Sequence, residues 1–453
     1  MNDRVRAHLP ELRRVASECG YTAYVVGGYP RDVQLGVDVT EADVVVEDGH
    51  GVDLARSFSA AVGGAPPIIF ERFGTAQVRL RDGSLFEFVS ARSESYRPDS
   101  RKPMVQPAGI KADIWRRDFT INTLLLDMSG QTTDPTGLAL EDIRARLIRT
   151  PADPQMAFAD DPLRMLRAAR FMAQLGFDLE EGTAAAIGAQ AHRIRPPVVS
   201  VERINMELRK LLTSEHPAQG LQAMMRHGLV AELLPELEAC RGIGKGGYHD
   251  RDVWDHTVAV VAGVPADLIT RMAALLHDVG KPVTLAPAGL RPMFKDHERV
   301  GAAMAEQIMR RLRFSTDETQ RVSRLVALHL RPAFLEPSAG DAAVRRIIRA
   351  AGSDLGSLMD LANADVAASA YPDRDKVARL RRRMADIGVD KVTQMRSPLN
   401  GHELMALAGR GPGPWLGRAQ TALLEALVDG LIDATKESAG DYLRLHPELL
   451  EGS

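Results

Sequence analysis

Residues 25–49 read VVGGYPRDVQLGVDVTEADVVVEDG, and this stretch decides the fold of the first part of the chain. A valine-rich run enters Gly27-Gly28, and Pro30 suits the first position of a helix. Adjacent glycines let the backbone approach a ligand closely, and a helix N-terminus presents unpaired N–H groups to phosphate. A second apolar strand follows over Ala42 to Glu47. Alternation along it places Glu41 and Asp43 on one side. Two carboxylates side by side repel, so a fold that turns both inward generally does so to hold a divalent cation. Paired Mg²⁺ ions there would activate an attacking hydroxyl and neutralise the pyrophosphate leaving a nucleoside triphosphate. Such metals need a third carboxylate, and Glu87 in LFEFV (85–89) is the best placed. Singly, a Gly-Gly turn is more often structural and Glu41 reads equally well as a turn residue. Their combination is what points to chemistry.

Working outward, the first ~130 residues alternate short apolar runs with Gly, Pro and Asp turns, the pattern of a mixed sheet with helices. Residues 93–113, SESYRPDSRKPMVQPAGIKAD, hold three prolines and little periodicity, and read as a long mobile loop. From about Pro151 the apolar spacing becomes helical, and strand signals scarcely return. RGIGKGGYHD (241–250) is the best linker candidate, and a last helical block begins at SPLNGHELM (397–405).

At 453 residues the chain allows about three domains. With 45% hydrophobic and 26% charged residues and no long apolar run, its composition is that of a globular, non-membrane protein. The opening MNDRVRAHLPELRRV lacks the apolar centre of a secretory signal. Cys19 and Cys240 alone provide no disulfide framework or four-cysteine zinc site, which fits a reducing cytoplasm. A net charge of −3 argues against a general nucleic-acid coat, but local arginine clusters decide RNA binding. Those clusters are Arg116-Arg117, Arg164/Arg167/Arg170, and Arg379 with Arg381–Arg383, the last reading equally well as a solvated helix face.

Farther along come His256, then His277-Asp278, His297, His329 and Asp365, each in or at the end of a helical pattern. Imidazoles with carboxylates suit Mn, Fe, Ni, Mg or Zn, and helices of a bundle hold such groups convergent. A lone histidine on an apolar helix is usually a hydrogen-bonded core residue. The adjacent His-Asp pair inside LLHDVGKP (275–282) is a much sharper signal.

Several motifs in order carry a family resemblance: GGxxRD (27–32), the carboxylate-x-carboxylate strand, RRDFTIN (116–122), DPTGLALEDIRARLIR (134–149), DDPLRMLRAARFMAQLGF (160–177) and VERINMELRKLL (201–212). Covering about the first 235 residues, they resemble the class II tRNA nucleotidyltransferase and bacterial poly(A) polymerase family. The histidine series resembles the HD phosphohydrolase superfamily. The resemblance implies an α+β fold, with a nucleotidyltransferase head of mixed sheet and helices (1–150). A helical base-reading and RNA-holding segment (151–240), an HD-type helical bundle (241–390) and a helical tail (391–453) would follow. It implies Glu41, Asp43 and Glu87 as catalytic carboxylates, the first two binding Mg²⁺. Gly27, Gly28, Arg31, Asp32 and Asn122 would bind nucleotide, with Arg116, Arg117 and Asp118 handling ribose and triphosphate. Asp161 and Arg164, three apart and so expected on one helical face, would read the base edge, with Arg167 and Arg170 beside them. His256, His277, Asp278 and Asp365 would hold one HD metal, of unassigned identity, and His297 with His329 would complete a second.

The implied partners are the tRNA 3′ end, CTP and ATP. Glu41-Ala42-Asp43 departs from the family's Asp-x-Asp, moving one carboxylate by about one bond length where metal geometry is exacting. Rival readings are a CC-only or A-only adding enzyme, a poly(A) polymerase, an HD phosphatase with a silent RNA-binding head, and a noncatalytic tRNA scaffold. Oligomeric state has no signature in the sequence.

Overall fold

A computed structural model describes residues 3–71, 74–95, 104–107, 109–244, 251–286 and 294–451. The chain divides into two units, Met1–Leu234 and Pro235–Ser453.

In the first unit, β1 (Ala23–Val26), β2 (Glu41–Val46), β3 (Ile68–Phe70), β4 (Thr75–Arg79) and β5 (Leu85–Ser90) build most of a sheet. β6 (Arg92–Ser95) and β7 (Met104–Pro107) pair separately, and β8 (Leu125–Asp127) and β9 (Thr132–Thr133) complete the sheet in the order β3-β4-β5-β2-β1-β8-β9. Strand alternation explains its two faces. Val44 and Val46 join a core with Leu12, Leu54, Phe58, Phe86 and Phe88, whereas Val45 packs with Val26, Ile114 and Leu125. Glu41 and Asp43 continue the Val45 face, toward the segment that leads from Ile114 to Arg116.

Three local expectations change. The helix after the glycine turn starts at Gly28, two residues before Pro30, because the turn conformation at Gly27 already launches it. The stretch expected to be irregular contains the antiparallel β6–β7 ladder, pairing Ser93 with Gln106 and Glu94 with Val105, and the helix Ile110–Trp115. A ladder needs only extended backbone with a partner strand near, not an apolar period; residues 96–103 lie outside the described residues. A short parallel pair, Leu147–Ile148 with Asp178–Leu179, returns inside the helical region. Six residues of the proposed linker, 245–250, also lie outside the described set.

The second unit is helical. Leu268–Leu276 packs against Val253–Gly263, Thr316–Leu328 and Leu355–Ala368, while His297–Arg311 pairs with Thr316–Leu328. The terminal helices build their own core around Trp415, Leu404, Leu423 and Leu443. Arg379, Arg381 and Arg383 are ion-paired with Asp373, Asp360 and Asp341, the solvated-face reading of that cluster. No helix among the described residues is long and apolar enough to cross a membrane.

Candidate active sites

The first site forms where β1 ends. Gly27 has φ 71° and ψ −127°, a conformation that strains any residue with a side chain. A Cβ there would lie 2.8 Å from Asp43 Oδ2 and 3.6 Å from Arg117 Nη1. Phosphate-type turn, metal-type carboxylate and guanidinium therefore share one neighbourhood. Gly27→Ala should cost about 1–3 kcal/mol of stability from backbone strain and displace Asp43, so both the unfolding midpoint and nucleotide incorporation should fall. A variant with wild-type values for both would remove the steric argument.

Asp43 keeps solvent contact, yet burial among protein atoms and the nearby Glu87 push its pKa up to about 6, against the pull of Arg117. Asp43 and Glu87 are register partners across the parallel β2–β5 pair, while Glu41 faces Leu85. The three acids do not converge as tightly as expected. Among the described residues, the groups of three ligand atoms lying within 4.8 Å of one another are both in the second unit. Like charges on adjacent strands repel, and Glu87 is drawn aside by the Gln77 amide, which donates to its Oε2 at 3.2 Å. The turn that a Cβ would fill and the crowded negative charge suit a cation bound at Asp43.

Arg116 and Arg117 are both held by Asp113, which is wholly buried: Arg116 Nε donates to its Oδ1 at 3.1 Å and Arg117 Nη2 to its Oδ2 at 3.0 Å. Behind them runs a buried polar network. Arg31 donates to Asn122 Oδ1 at 2.7 Å and is paired with Asp32 at 2.8 Å. Asn122 donates to Asp118 Oδ1 at 3.0 Å, and Arg167 Nε to Asp118 Oδ2 at 2.9 Å. Burial opposes the charge on Asp118, but Arg167 and the Asn122 hydrogen bond hold its pKa below the usual carboxylate range. Glu207 contacts Arg170 at 2.6 Å and Arg167 at 3.4 Å, and the Arg170 guanidinium sits 3.9 Å from the Phe171 ring centroid.

Removing Glu207 would leave the buried Arg170 guanidinium without its carboxylate, while Arg167 keeps Asp118. Glu207→Ala should destabilise by about 3 kcal/mol, the low end for a broken buried pair because Arg167 keeps a third of its side chain exposed. Denaturant titration checks this, and Glu207→Gln should be milder.

Asp161 and Arg164 do not share a helix. Asp161 ends the helix Pro154–Asp160 in an extended conformation, and Arg164 lies in the next helix, Leu163–Leu175. Pro162 is the cause, since a residue before proline is pushed out of the helical region. Asp161 Oδ1 accepts from the Leu163 N–H at 3.2 Å, and its Oδ2 from Arg203 at 2.7 Å. The Arg164 guanidinium donates to the carbonyls of Ala157 and Arg116.

The second site gathers every ligand expected of it. His277 ends Leu268–Leu276, His297 starts His297–Arg311, and His329 ends Thr316–Leu328. Each donates Nδ1–H to the carbonyl three residues back: His277 to Ala274 at 2.8 Å, His297 to Phe294 at 2.8 Å, His329 to Val326 at 2.7 Å. That turns every Nε2 inward, the arrangement metal-binding histidines use. The groups form two triads, His256–His277–Asp278 and Asp278–His297–His329, with Asp278 in both. Asp365 Oδ1 lies 3.1 Å from His256 Nε2.

The Nε2 atoms of His297 and His329 are buried without a hydrogen-bond partner, a costly state that a divalent cation would relieve. Burial, helped by the charge of His277, pushes the His329 pKa down to about 3, keeping it in the neutral ligand form. Burial opposes the Asp278 charge, yet His277 and Lys281 hold its pKa well below the carboxylate range. The residues present thus fit a pair of divalent ions.

Comparison with known proteins matches this layout. Family models match residues 23–149 (the poly(A) polymerase head domain), 176–241 (a probable RNA- and SrmB-binding site of polymerase A) and 248–367 (the HD domain). The A-adding tRNA nucleotidyltransferase of Deinococcus radiodurans is 33% identical over 434 residues, 92% of this chain and 94% of that protein. The CC-adding tRNA nucleotidyltransferase of Thermus thermophilus is also 33% identical, over 93% of each. This chain belongs to the class II tRNA nucleotidyltransferase family. It is a template-independent nucleotidyltransferase that carries an HD domain, and both domain types work with divalent metals. The fold agrees: the CCA-adding enzyme of Bacillus stearothermophilus, solved with CTP, superposes with a TM-score of 0.70 at 23% identity, covering 97% of this chain and 96% of that one.

For a tRNA nucleotidyltransferase of this kind, sequence reasoning missed several supporting residues. Asp113 was legible, an acid three and four residues before Arg116-Arg117. Lys281, 2.6 Å from Asp278 Oδ2, was quoted within its motif but given no role. Glu207, Phe171 and Arg203 carried no local signal. Neither did Gly280 and Gly301. A Cβ on Gly280 would meet the His297 carbonyl at 2.4 Å and the Gly301 nitrogen at 2.7 Å. That bare backbone contact brings His297 against the His277-Asp278 turn.

Proposed function

We propose that this enzyme adds C and/or A to the 3′ end of tRNA from CTP and ATP, and that its HD domain hydrolyses phosphoesters. The observation that supports the first activity most is the Gly27 backbone pressed against Asp43 with Arg117 alongside. The turn 27–32 receives the triphosphate, with Gly28 and Asp32 at the helix start, and Arg116 and Arg117, oriented by Asp113, neutralise its oxygens. Asp43 and Glu41 hold Mg²⁺, and Glu87 adds charge beside them. Magnesium supplies charge neutralisation at the departing pyrophosphate and acidifies the attacking 3′-hydroxyl. Asp118 positions Arg167 and Asn122 behind the ribose. Asp161 and Arg164 read the base edge: a carboxylate accepts from an exocyclic amine and a guanidinium donates to ring acceptors. Four segments divide these tasks: head 1–150, base-reading segment 151–240, HD domain 241–390 and tail 391–453. A cytoplasmic location fits an enzyme that works on tRNA.

In the HD domain, His256, His277, Asp278 and Asp365 hold one divalent ion, and Asp278, His297 and His329 a second. Such ions supply Lewis-acid polarisation of a phosphoester and of the attacking water.

A restricted specificity, C only or A only, is the second reading, favoured by relatives named CC-adding and A-adding at equal identity. The test is purified enzyme with tRNA lacking CCA, or ending in CC, given each nucleotide separately. Full addition predicts two C residues from CTP and one A on tRNA ending in CC; a restricted enzyme performs one of these. No incorporation on either tRNA, with phosphoester hydrolysis intact, overturns the nucleotidyltransferase reading.

A further inference from the structure

Tyr29 lies between the glycine turn and Pro30, and its hydroxyl donates to Asp3 Oδ2 at 2.9 Å. We propose that this bond anchors the turn that binds the triphosphate, so that Tyr29 and Asp3 are positioning residues for nucleotide addition. The inference rests on the reading that residues 27–32 receive the triphosphate.

The helix after the turn begins at Gly28, so Tyr29 is helical directly before a proline. Proline disfavours the helical region for the residue preceding it, because its ring crowds that residue's N–H and Cβ. Local preference therefore does not keep Tyr29 where it is, and tertiary contacts must. Its ring is buried in the core of the sheet with Val5, Leu12 and Val39. Apolar packing is non-directional, whereas a hydrogen bond fixes the tip of the ring in distance and angle.

Asp3 is well placed to be the fixed point. Its Oδ1 accepts from the Arg6 N–H at 2.9 Å, which holds the carboxylate still. Its backbone forms a parallel β-bridge with Val39, in the segment between the helix Gly28–Leu35 and β2. One residue thus grips the chain at Tyr29, where this helix starts, and at Val39, just before the strand that carries Glu41 and Asp43. Burial and the bond to Asp3 push the Tyr29 pKa up, so the phenol remains a donor at any working pH.

Tyr29 also brings a ligand group of its own. The first N–H groups of a helix have no partner within it, and no side chain caps this one. Pro30 has no N–H, so Gly28 and Tyr29 are the donors that the first turn presents to phosphate. Releasing the Tyr29 side chain lets both donors shift together. They meet the triphosphate before and during the reaction alike, so a displaced turn raises the nucleotide KM and leaves kcat nearly unchanged. A loss of folded protein does the opposite, lowering apparent kcat at constant KM.

Steady-state incorporation of CMP and AMP by full-length enzyme tests the anchor, with tRNA lacking CCA or ending in CC as acceptor. Tyr29→Phe keeps the packed ring and removes the bond. For each nucleotide that the wild-type enzyme incorporates, KM should rise roughly fivefold, with kcat within about twofold and the KM for tRNA unchanged. Asp3→Ala should give the same split, and Asp3→Asn, whose amide oxygen still accepts, should restore the wild-type KM. The double variant Tyr29→Phe with Asp3→Ala should be no worse than Asp3→Ala alone, because both changes remove one bond. An unchanged nucleotide KM in Tyr29→Phe, a fall in kcat alone, or additive effects in the double variant would overturn the proposal. Gly27→Ala separates this from the reading beneath it. A raised nucleotide KM in Gly27→Ala but not in Tyr29→Phe defeats the anchor alone, whereas a wild-type KM in both defeats the triphosphate reading of the turn and the anchor with it.

Discussion

Asp43→Asn should reduce CMP and AMP incorporation by about 10³-fold or more, equivalent to roughly 4 kcal/mol of transition-state stabilisation. The substitution keeps the shape of the side chain and removes its charge. Asp43 is the carboxylate that meets the glycine turn, and burial, with the charge of Glu87 beside it, raises its pKa to about 6. A cation placed there is bound by that carboxylate, and without it the triphosphate would enter a pocket lacking its counter-charge. Glu41 and Glu87 cannot substitute, since Glu41 sits two residues away along β2 and Glu87 is engaged by Gln77. Binding of tRNA, measured by filter retention, should be unchanged. Incorporation within tenfold of wild type would show that catalysis does not depend on this carboxylate. Glu41→Asp, which restores the family's spacing, should keep or raise activity.

Asp278→Asn should empty both HD metal positions at once and lower hydrolysis by a similar factor. Its oxygens face different partners: Oδ2 lies 3.1 Å from His277 Nε2, and Oδ1 lies 3.3 Å from His297 Nε2 and 3.9 Å from His329 Nε2. One substitution therefore removes the shared anionic ligand of both triads, whereas His329→Ala takes a ligand from only one. Elemental analysis of dialysed protein gives the direct readout. Nucleotide incorporation should be unaffected, because the head carboxylates lie in the other unit. The amide also weakens the contact with the buried Lys281 ammonium, so the unfolding midpoint must be recorded alongside. Retention of full metal content by a folded Asp278→Asn protein would overturn the shared-ligand assignment.

Much of this was legible because it is local. The strand around Val44–Val46 alternates between two apolar clusters as its pattern requires, and that alternation turns Glu41 and Asp43 together. His277 and Asp278 are adjacent, and the helices carrying the other ligands announce themselves by period. The Asp161–Arg164 geometry failed for a local reason as well: the proline between them breaks the helix that their spacing assumed. The β6–β7 ladder went unread because two four-residue strands are too short to show an apolar period.

By itself, the sequence determined most element types, the strand side shared by Glu41 and Asp43, and which six histidines and aspartates are candidate HD ligands, since each depends on periodicity or on motif spacing along the chain. Only the tertiary structure decided which of these groups meet and what each is already bonded to. It seated Gly27 on Asp43, turned Glu87 toward Gln77, gave Asp161 to Arg203, and used the bare Gly280–Gly301 contact to bring His297 to Asp278. The physical reason is that hydrogen bonds and ion contacts act over a few ångströms between residues tens of positions apart. Their partners are chosen by how helices and strands pack, which no local pattern encodes.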